Sequence, residues 1–127
     1  MDGLGGFAVE LDTYQNGCDA DADHVGVDSL TVDCSAESGT LASVLAAPLG
    51  SFGINLHDGQ WHQVDAIMNA WALTVLVDGT TALSNVPVPP IPAGTPVWFG
   101  FGGGTGAAVA VQQIRNVTIA FPAPQCM

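Results

Sequence analysis

Basic residues are almost absent from this chain of 127 residues, which has no lysine and a single arginine, Arg115. Its 12 acidic residues give a formal net charge of −11, although charged residues make up only 10% of the chain. Nucleic acids and anionic membrane surfaces need Lys and Arg to neutralise phosphate, so the composition argues against both as partners. It favours cations and neutral ligands such as sugars.

Long apolar runs are missing as well. No uninterrupted stretch approaches the roughly 20 residues that span a bilayer, so we predict no membrane insertion. The start of the chain also lacks the basic and apolar segments of an export signal. A hydrophobic share of 48% with 16 glycines is enough for a real core, and the length predicts one domain over residues 1–127.

Cysteine is scarce, and its spacing leaves two interpretations open. Cys18, Cys34 and Cys126 contain no C-x-x-C pair, which disfavours a zinc site of cysteines. A Cys18–Cys34 disulfide would brace the intervening loop, would suit an exported protein and would leave Cys126 unpaired. Alternatively, all three are reduced thiols buried as small hydrophobes.

The most informative stretch runs from Val9 to Asp28 and reads as a strand, an acidic loop and a returning strand. Residues 6–14 alternate in the manner of a strand, with Phe7, Val9, Leu11 and Thr13 on one side. Glu10 and Asp12 then share the other side, roughly 6 to 7 Å apart, where two anions repel unless a cation lies between them. With one basic side chain in the protein, we predict a divalent metal ion.

The acidic loop adds further ligands. Asn16, Asp19, Asp21 and Asp23 offer the hard oxygens that Ca²⁺ prefers, and His24 with carboxylates suits a transition ion such as Mn²⁺. A solvated acidic turn without an ion is the simpler alternative. An EF-hand fits poorly, because His24 stands where its glycine is expected and the flanking segments read as strands.

These residues resemble a known family. The run Val9–Tyr14, followed by Asn16, Asp19 and His24–Asp28, resembles the metal-binding signature of the legume (L-type) lectins, which have the concanavalin A-like jelly-roll fold. In that family the carboxylates matching Glu10, Asp12 and Asp19, with the histidine matching His24, hold a transition metal, usually Mn²⁺. The resemblance therefore implies both a metal centre and a fold.

The resemblance also implies a Ca²⁺ ion, held by Asp12, the Tyr14 carbonyl, Asn16 and Asp19. Spacing from His24 selects Asp19 as the shared ligand. Asp21 and Asp23 stay as alternatives, because the loop is shorter here than in many members. The implied metal ligands are thus Glu10, Asp12, Tyr14, Asn16, Asp19 and His24.

A sugar site follows from the same resemblance. The Asn16 amide corresponds to a group that hydrogen-bonds the sugar, and the loop 102–106 matches the family's pocket edge, so we predict carbohydrate contacts from Asn16, Gly103, Gly104 and Thr105. The family's domain is ordinarily about twice as long, and its amino-terminal half has no counterpart here. An exposed sheet edge would then permit a homo-oligomer.

Several later segments read as strands without a credible helix, so the predicted fold is an all-β antiparallel sandwich of jelly-roll type, in a truncated version. A hairpin of residues 59–68 and 72–77 ends in the turn Asp78-Gly79, and the prolines between residues 83 and 96 indicate a surface crossing. The remaining predicted strands are 25–27, 30–34, 97–101 and 111–121, with residues 41–47 extended and 35–40 a turn.

Three functions are consistent with these features. The first is a non-catalytic, metal-dependent lectin domain that binds carbohydrate or a glycoconjugate at the cell surface or outside the cell. The second is a glycoside hydrolase on the same fold, for which Glu10 and Asp12 would have to act as acid and nucleophile or base. The third is a structural or adhesion domain that keeps Ca²⁺ for stability. His57 and His62 flank Asp58, but a His–Asp pair alone does not indicate an enzyme, because no Ser or Cys nucleophile motif lies nearby.

Overall fold

The computed structural model describes residues 6–15, 22–29, 47–104 and 109–121. The chain forms two compact units, residues 1–95 and 96–127. All six strands of the described residues belong to the first unit, together with one short 3₁₀ turn. In the described part of the chain, no helix has the length and apolar character needed to cross a membrane.

The first sheet contains the predicted strand and its returning partner. β1 (Phe7–Asp12), β2 (His24–Ser29) and the two-residue β3 (Ala47–Pro48) are antiparallel in the order β1-β2-β3. A 3₁₀ turn, Leu49–Phe52, follows β3 and ends at Gly53, whose φ of 74° suits glycine. Because strands flank the acidic loop on both sides, the EF-hand alternative is wrong.

The second sheet is a meander of β4 (Val64–Asn69), β5 (Ala72–Val77) and β6 (Thr80–Pro87). The predicted hairpin is confirmed, since β4 pairs with β5 from Val64↔Val77 to Asn69↔Ala72. β5 has its predicted bounds, whereas β4 begins five residues later than predicted.

β6 was not predicted, because the proline-rich segment was expected to exclude a strand from Leu83 onward. The strand instead extends to Pro87. A proline lacks the N–H that a central strand must donate, but β6 is an edge strand and Pro87 is its last residue. The prolines that do prevent strand formation come after this point.

Two irregularities in β6 keep its apolar residues on the core side. The β5–β6 register shifts between Leu73 and Val75 and again between Val75 and Leu76, so β6 contains two more residues than β5. In a regular strand Leu83 and Val86 would face opposite sides, because their spacing is odd. The extra residue between them lets both become buried.

Both sheets contribute to one cluster of buried apolar side chains. The inner residues of β2 and β5 are completely buried, as expected for the central strand of each sheet. The fold is thus mostly β, with two small antiparallel sheets, and the sandwich or jelly roll stays a prediction. The buried apolar residues are Val25, Val27, Ala47, Leu49, Ile54, Leu73, Val75, Val77, Leu83, Val86 and Val88.

The second unit corrects two strand predictions. Its described residues, 96–104 and 109–121, contain no strand, although residues 97–101 and 111–121 were expected to form two. β-branched and aromatic side chains favour a strand only when a neighbouring strand pairs with it. Trp98 is 86% exposed, and Phe99 contacts Phe121 edge to face with ring centroids 6.0 Å apart.

Several predictions fall outside the described residues. The strand 30–34, the turn 35–40 and residues 41–46 belong to this group. So do all three cysteines, and with them the open choice between a Cys18–Cys34 disulfide and free thiols.

Candidate metal centre

The pairing of β1 with β2 places three predicted ligands on one face of the first sheet. Asp12 is directly opposite His24, and Glu10 is directly opposite Gly26. Opposite residues of an antiparallel pair project to the same side, and so do residues two apart on one strand. Glu10 and Asp12 therefore share a face, as the alternation in the sequence predicted, and the register of β1 with β2 adds His24 to that face.

The other face of these strands belongs to the core. Val25 and Val27 are completely buried, and Phe7 and Val9 pack against the same apolar cluster. A slip of one residue in the pairing would move the carboxylates into the core and the valines out of it. Burial of the apolar face therefore fixes which side the predicted ligands occupy.

Gly26 leaves space between two acidic side chains on the ligand face. A Cβ placed on Gly26 would lie 3.9 Å from Glu10 Oε2 and 3.8 Å from Asp28 Oδ1, so both carboxylates reach over this residue. Asp28 was not among the predicted ligands. Alternation along β2 could have identified it, since Asp28 is two residues from Gly26 and four from His24.

Asp12 also shapes the chain that leaves β1. The Tyr14 backbone N–H donates a hydrogen bond to Asp12 Oδ1 over 2.8 Å, which is the geometry of an Asx turn. The turn uses one carboxylate oxygen and leaves Oδ2 outside this hydrogen bond. It also holds the main chain of Tyr14, whose carbonyl is a predicted Ca²⁺ ligand, close to Asp12.

His24 is the one buried polar residue among those described, with 2% of its surface exposed. It begins β2, the central strand, between Asp12 of β1 and Pro48 of β3. The Leu49 N–H donates to the Asp23 carbonyl over 2.8 Å and holds the 3₁₀ turn beside it. A fixed imidazole orientation is what metal coordination by histidine requires.

Asp23 is oriented toward a different partner. Its buried Oδ1 is 3.0 Å from His57 Nδ1, which meets the distance of an ion pair, yet the atom has no partner with hydrogen-bond geometry. We regard the contact as electrostatic, because distance governs an ion pair and angle governs a hydrogen bond. Asp23, one of the three candidates for the shared ligand, is thus held against His57.

The described residues supply only part of the predicted ligand set. No three His, Cys, Asp or Glu side chains within the described ranges are arranged to hold a metal ion. Asn16, Asp19 and Asp21 lie outside those ranges. The chemistry of the described donors fits the expectation, because two carboxylates and an imidazole suit a transition ion and carboxylate and carbonyl oxygens suit Ca²⁺.

The predicted sugar-contacting loop belongs to the second unit, and it is described up to Gly104. Gln112 Nε2 donates to the Gly104 carbonyl over 3.0 Å, and a Cβ on Gly103 would collide with Gln112 Oε1, the end of a flexible side chain. Asn16 and Thr105 lie outside the described residues. An open depression of about 470 Å³ is lined by Phe101, Gly102, Gly103, Ala110, Gln112 and Ile114.

A second group of polar residues lies in the first unit, away from the predicted ligands in sequence. His62 contacts both Asp58 and Asp78. In the sequence both His57 and His62 flank Asp58, which did not single out this contact. Asp78 is 16 positions beyond His62 and comes close only because the β4–β5 hairpin folds back.

No family model matches the chain, and no solved structure matches it either.

Proposed function

We propose that this chain is a metal-dependent carbohydrate-binding domain of the lectin type, without catalytic activity. Its ligand would be a carbohydrate or glycoconjugate outside the cell or at the cell surface. Glu10, Asp12 and His24 would hold a transition ion such as Mn²⁺ together with Asp19. Asp12, Asp19, Asn16 and the Tyr14 carbonyl would hold Ca²⁺.

One observation supports this proposal above the others, namely the register of β1 and β2. Two carboxylates and a buried imidazole share a sheet face whose opposite side is core. A folded protein brings like charges onto one surface at an energetic cost, which a divalent cation removes. The resemblance to the legume lectins is carried by these same residues.

The bound ions would supply charge and rigidity to the acidic loop. Asn16 would then present its amide to a sugar hydroxyl, with Gly103, Gly104 and Thr105 as further predicted contacts. Backbone and amide groups are suitable for this purpose, because sugar hydroxyls both donate and accept hydrogen bonds. Recognition by uncharged backbone and amide groups is also consistent with a chain that has a single basic residue.

Asp12→Asn tests the metal centre with little disturbance of the turn. The amide keeps an oxygen that can accept the Tyr14 N–H hydrogen bond, but it removes the negative charge that would bridge the two ions. We expect the variant to lose both ions, measured by calorimetric titration of chelator-treated protein with Ca²⁺ and Mn²⁺. Binding on a glycan array should be lost with them.

Asp65→Asn is the matched control, because it makes the same chemical change on β4, in the other sheet. It should bind both ions and the same glycans as the parent protein. Full metal content in Asp12→Asn would contradict the bridging role of Asp12. Metal binding by the parent protein with no response to any glycan would instead favour the structural or adhesion domain.

A further inference from the structure

His62 lies just before β4 with a carboxylate oxygen at each of its ring nitrogens. Nδ1 is 2.6 Å from Asp78 Oδ2, and Nε2 is 3.1 Å from Asp58 Oδ1. Asp78 belongs to the turn that joins β5 to β6, whereas Asp58 belongs to the loop that leads to β4. The imidazole therefore connects this loop to that turn.

Backbone hydrogen bonds hold both carboxylates in place. The Gln63 N–H donates to Asp78 Oδ1 over 2.9 Å, and the Gln60 N–H donates to Asp58 Oδ1 over 2.7 Å. The Asp78 N–H in turn donates to the Gln63 carbonyl over 2.9 Å. Neither carboxylate can rotate away from His62 without losing one of these bonds.

The protonation state of the ring decides whether this arrangement is attractive. An ionised carboxylate only accepts hydrogen bonds, and a neutral imidazole has a single N–H. A neutral His62 would therefore direct a nitrogen lone pair at one carboxylate oxygen. The imidazolium form donates at both nitrogens and is also attracted to both charges.

We propose that Asp58, His62 and Asp78 form a proton-dependent clasp. The clasp holds the loop of residues 58–62 against the turn after β5 when the imidazole is charged, and it releases this loop when the imidazole is neutral. The inference goes beyond the proposed sugar binding and does not depend on it. None of the three residues is a predicted metal ligand.

Both carboxylates beside the ring raise the pKa of His62. The hydrogen bond to Asp78 raises the pKa of His62 above its ordinary value of 6.5; partial burial opposes this and Asp58 reinforces it. The same bond, with the Gln63 N–H, lowers the pKa of Asp78 from its ordinary 3.8. Asp65 contacts Gln63 Nε2 rather than the ring.

The pKa shifts of His62 and Asp78 define the pH range in which the clasp is closed. The stability that His62 contributes is complete below its unfolded-state pKa of 6.5 and is lost as the pH rises through the raised pKa of the folded state. The contribution of Asp78 is present above pH 3.8 and is lost as the pH falls through its lowered pKa. The clasp is therefore closed in mildly acidic solution and opens as the solution becomes alkaline.

The test is a titration of the imidazole nitrogens by NMR on ¹⁵N-labelled, chelator-treated protein, with His62→Gln used to assign the His62 signals. In the parent protein His62 should keep both ring protons beyond pH 6.5. Asp78→Asn should lower this pKa, because it removes the charge from the closer partner. Asp65→Asn, the matched control, should leave it unchanged.

Thermal unfolding supplies the second measurement. The melting temperature should fall between about pH 5.5 and pH 8, and this fall should be smaller in His62→Gln than in the parent or in Asp65→Asn. Should Asp78→Asn fail to fold, Asp58→Asn replaces it, since Asp58 lies in an exposed loop. The proposal is overturned if the pKa of His62 is 6.5 or lower. It is also overturned if neither Asp58→Asn nor Asp78→Asn lowers that pKa.

Discussion

Val77 and Val64 are opposite each other on β5 and β4 and share the core-facing side, yet they differ in burial. Val77 is completely buried, whereas Val64 is 37% exposed. Val77→Ala removes two buried carbons and leaves a cavity, so we expect a loss of about 2 kcal/mol in the free energy of unfolding. Urea denaturation followed by circular dichroism measures this loss.

Val64→Ala is the internal comparison, because it makes the same change on the same face at an exposed position. Its cost should be below about 1 kcal/mol. Equal costs for the two variants would mean that β4 is covered to the same extent as β5, in disagreement with the exposure of Val64.

Single residues of the site were predictable to the extent that they depend on local alternation. Glu10 and Asp12 share a face because period-two alternation holds through β1, whereas His24 joins them because β2 pairs with β1 in this register. The burial of His24 was not predictable, because it depends on β3 and the 3₁₀ turn, which follow more than 20 residues later. Asp78 was recognised as a turn residue but not as the partner of His62, since that contact needs the whole hairpin.

At the scale of elements, the two hairpin turns use different residues for the same backbone shape. Asp78 and Gly79 have φ values of 50° and 77°, and Ala70 and Trp71 have 47° and 63°. Two consecutive residues with positive φ indicate a type I′ turn, in which Asn, Asp and Gly are favoured. Ala70 therefore occupies a conformation that is costly for a residue with a Cβ.

We expect Ala70→Gly to stabilise the protein by up to about 1 kcal/mol, because the strain of a left-handed alanine exceeds the entropy that glycine adds to the unfolded chain. Gly79→Ala introduces the same strain at the other turn and should destabilise by about 1 kcal/mol. Equilibrium denaturation of both variants checks these opposite signs. A destabilised Ala70→Gly would contradict the left-handed assignment at residue 70.

Strands that depend on local sequence were predicted, whereas those that depend on distant partners or on irregular pairing were not. β5 was predicted with its bounds, because Leu73, Val75 and Val77 alternate and Asp78-Gly79 ends the run. β6 was missed because its two register shifts break the alternation on which a prediction relies. Residues 97–101 have the composition of a strand, but composition cannot supply the partner strand that pairing requires.

At the scale of the whole molecule, net charge and exposed apolar surface have opposite effects on association between copies of the chain. All 12 acidic residues lie at or before Asp78, and the net charge is −11 at pH 7. Large apolar side chains are exposed in both units, among them Ile67 and Met68 in the first and Trp98 and Phe101 in the second. Mutual repulsion between copies with this net charge would oppose contact between these apolar surfaces.

We therefore expect association to increase as the pH falls toward the sequence pI of about 4.1. Light scattering measures the particle mass, and circular dichroism at each pH separates association from acid unfolding. High salt at pH 7 should produce a weaker increase, since it screens the same repulsion. A constant mass near pH 4 with an unchanged spectrum would show that charge does not control association.

The two edges of the second sheet are unequal. β6 carries two register shifts, a left-handed Asn85 whose N–H donates to Thr74 Oγ1 over 3.1 Å, and a terminal Pro87. β4 pairs in regular register with β5, and no strand of the described residues pairs with its other side. Bulges and prolines block strand addition, whereas a regular edge permits it.

Because of this difference, the second sheet could add another strand at its β4 edge but not at its β6 edge. Two copies that met through β4 would form a continuous six-stranded sheet with β6 at both ends, and each end would resist a third copy. Pairing of this kind would close as a symmetric dimer rather than propagate as a fibre. The irregular strand that sequence alternation failed to identify is thus the one that would stop this sheet from growing beyond six strands.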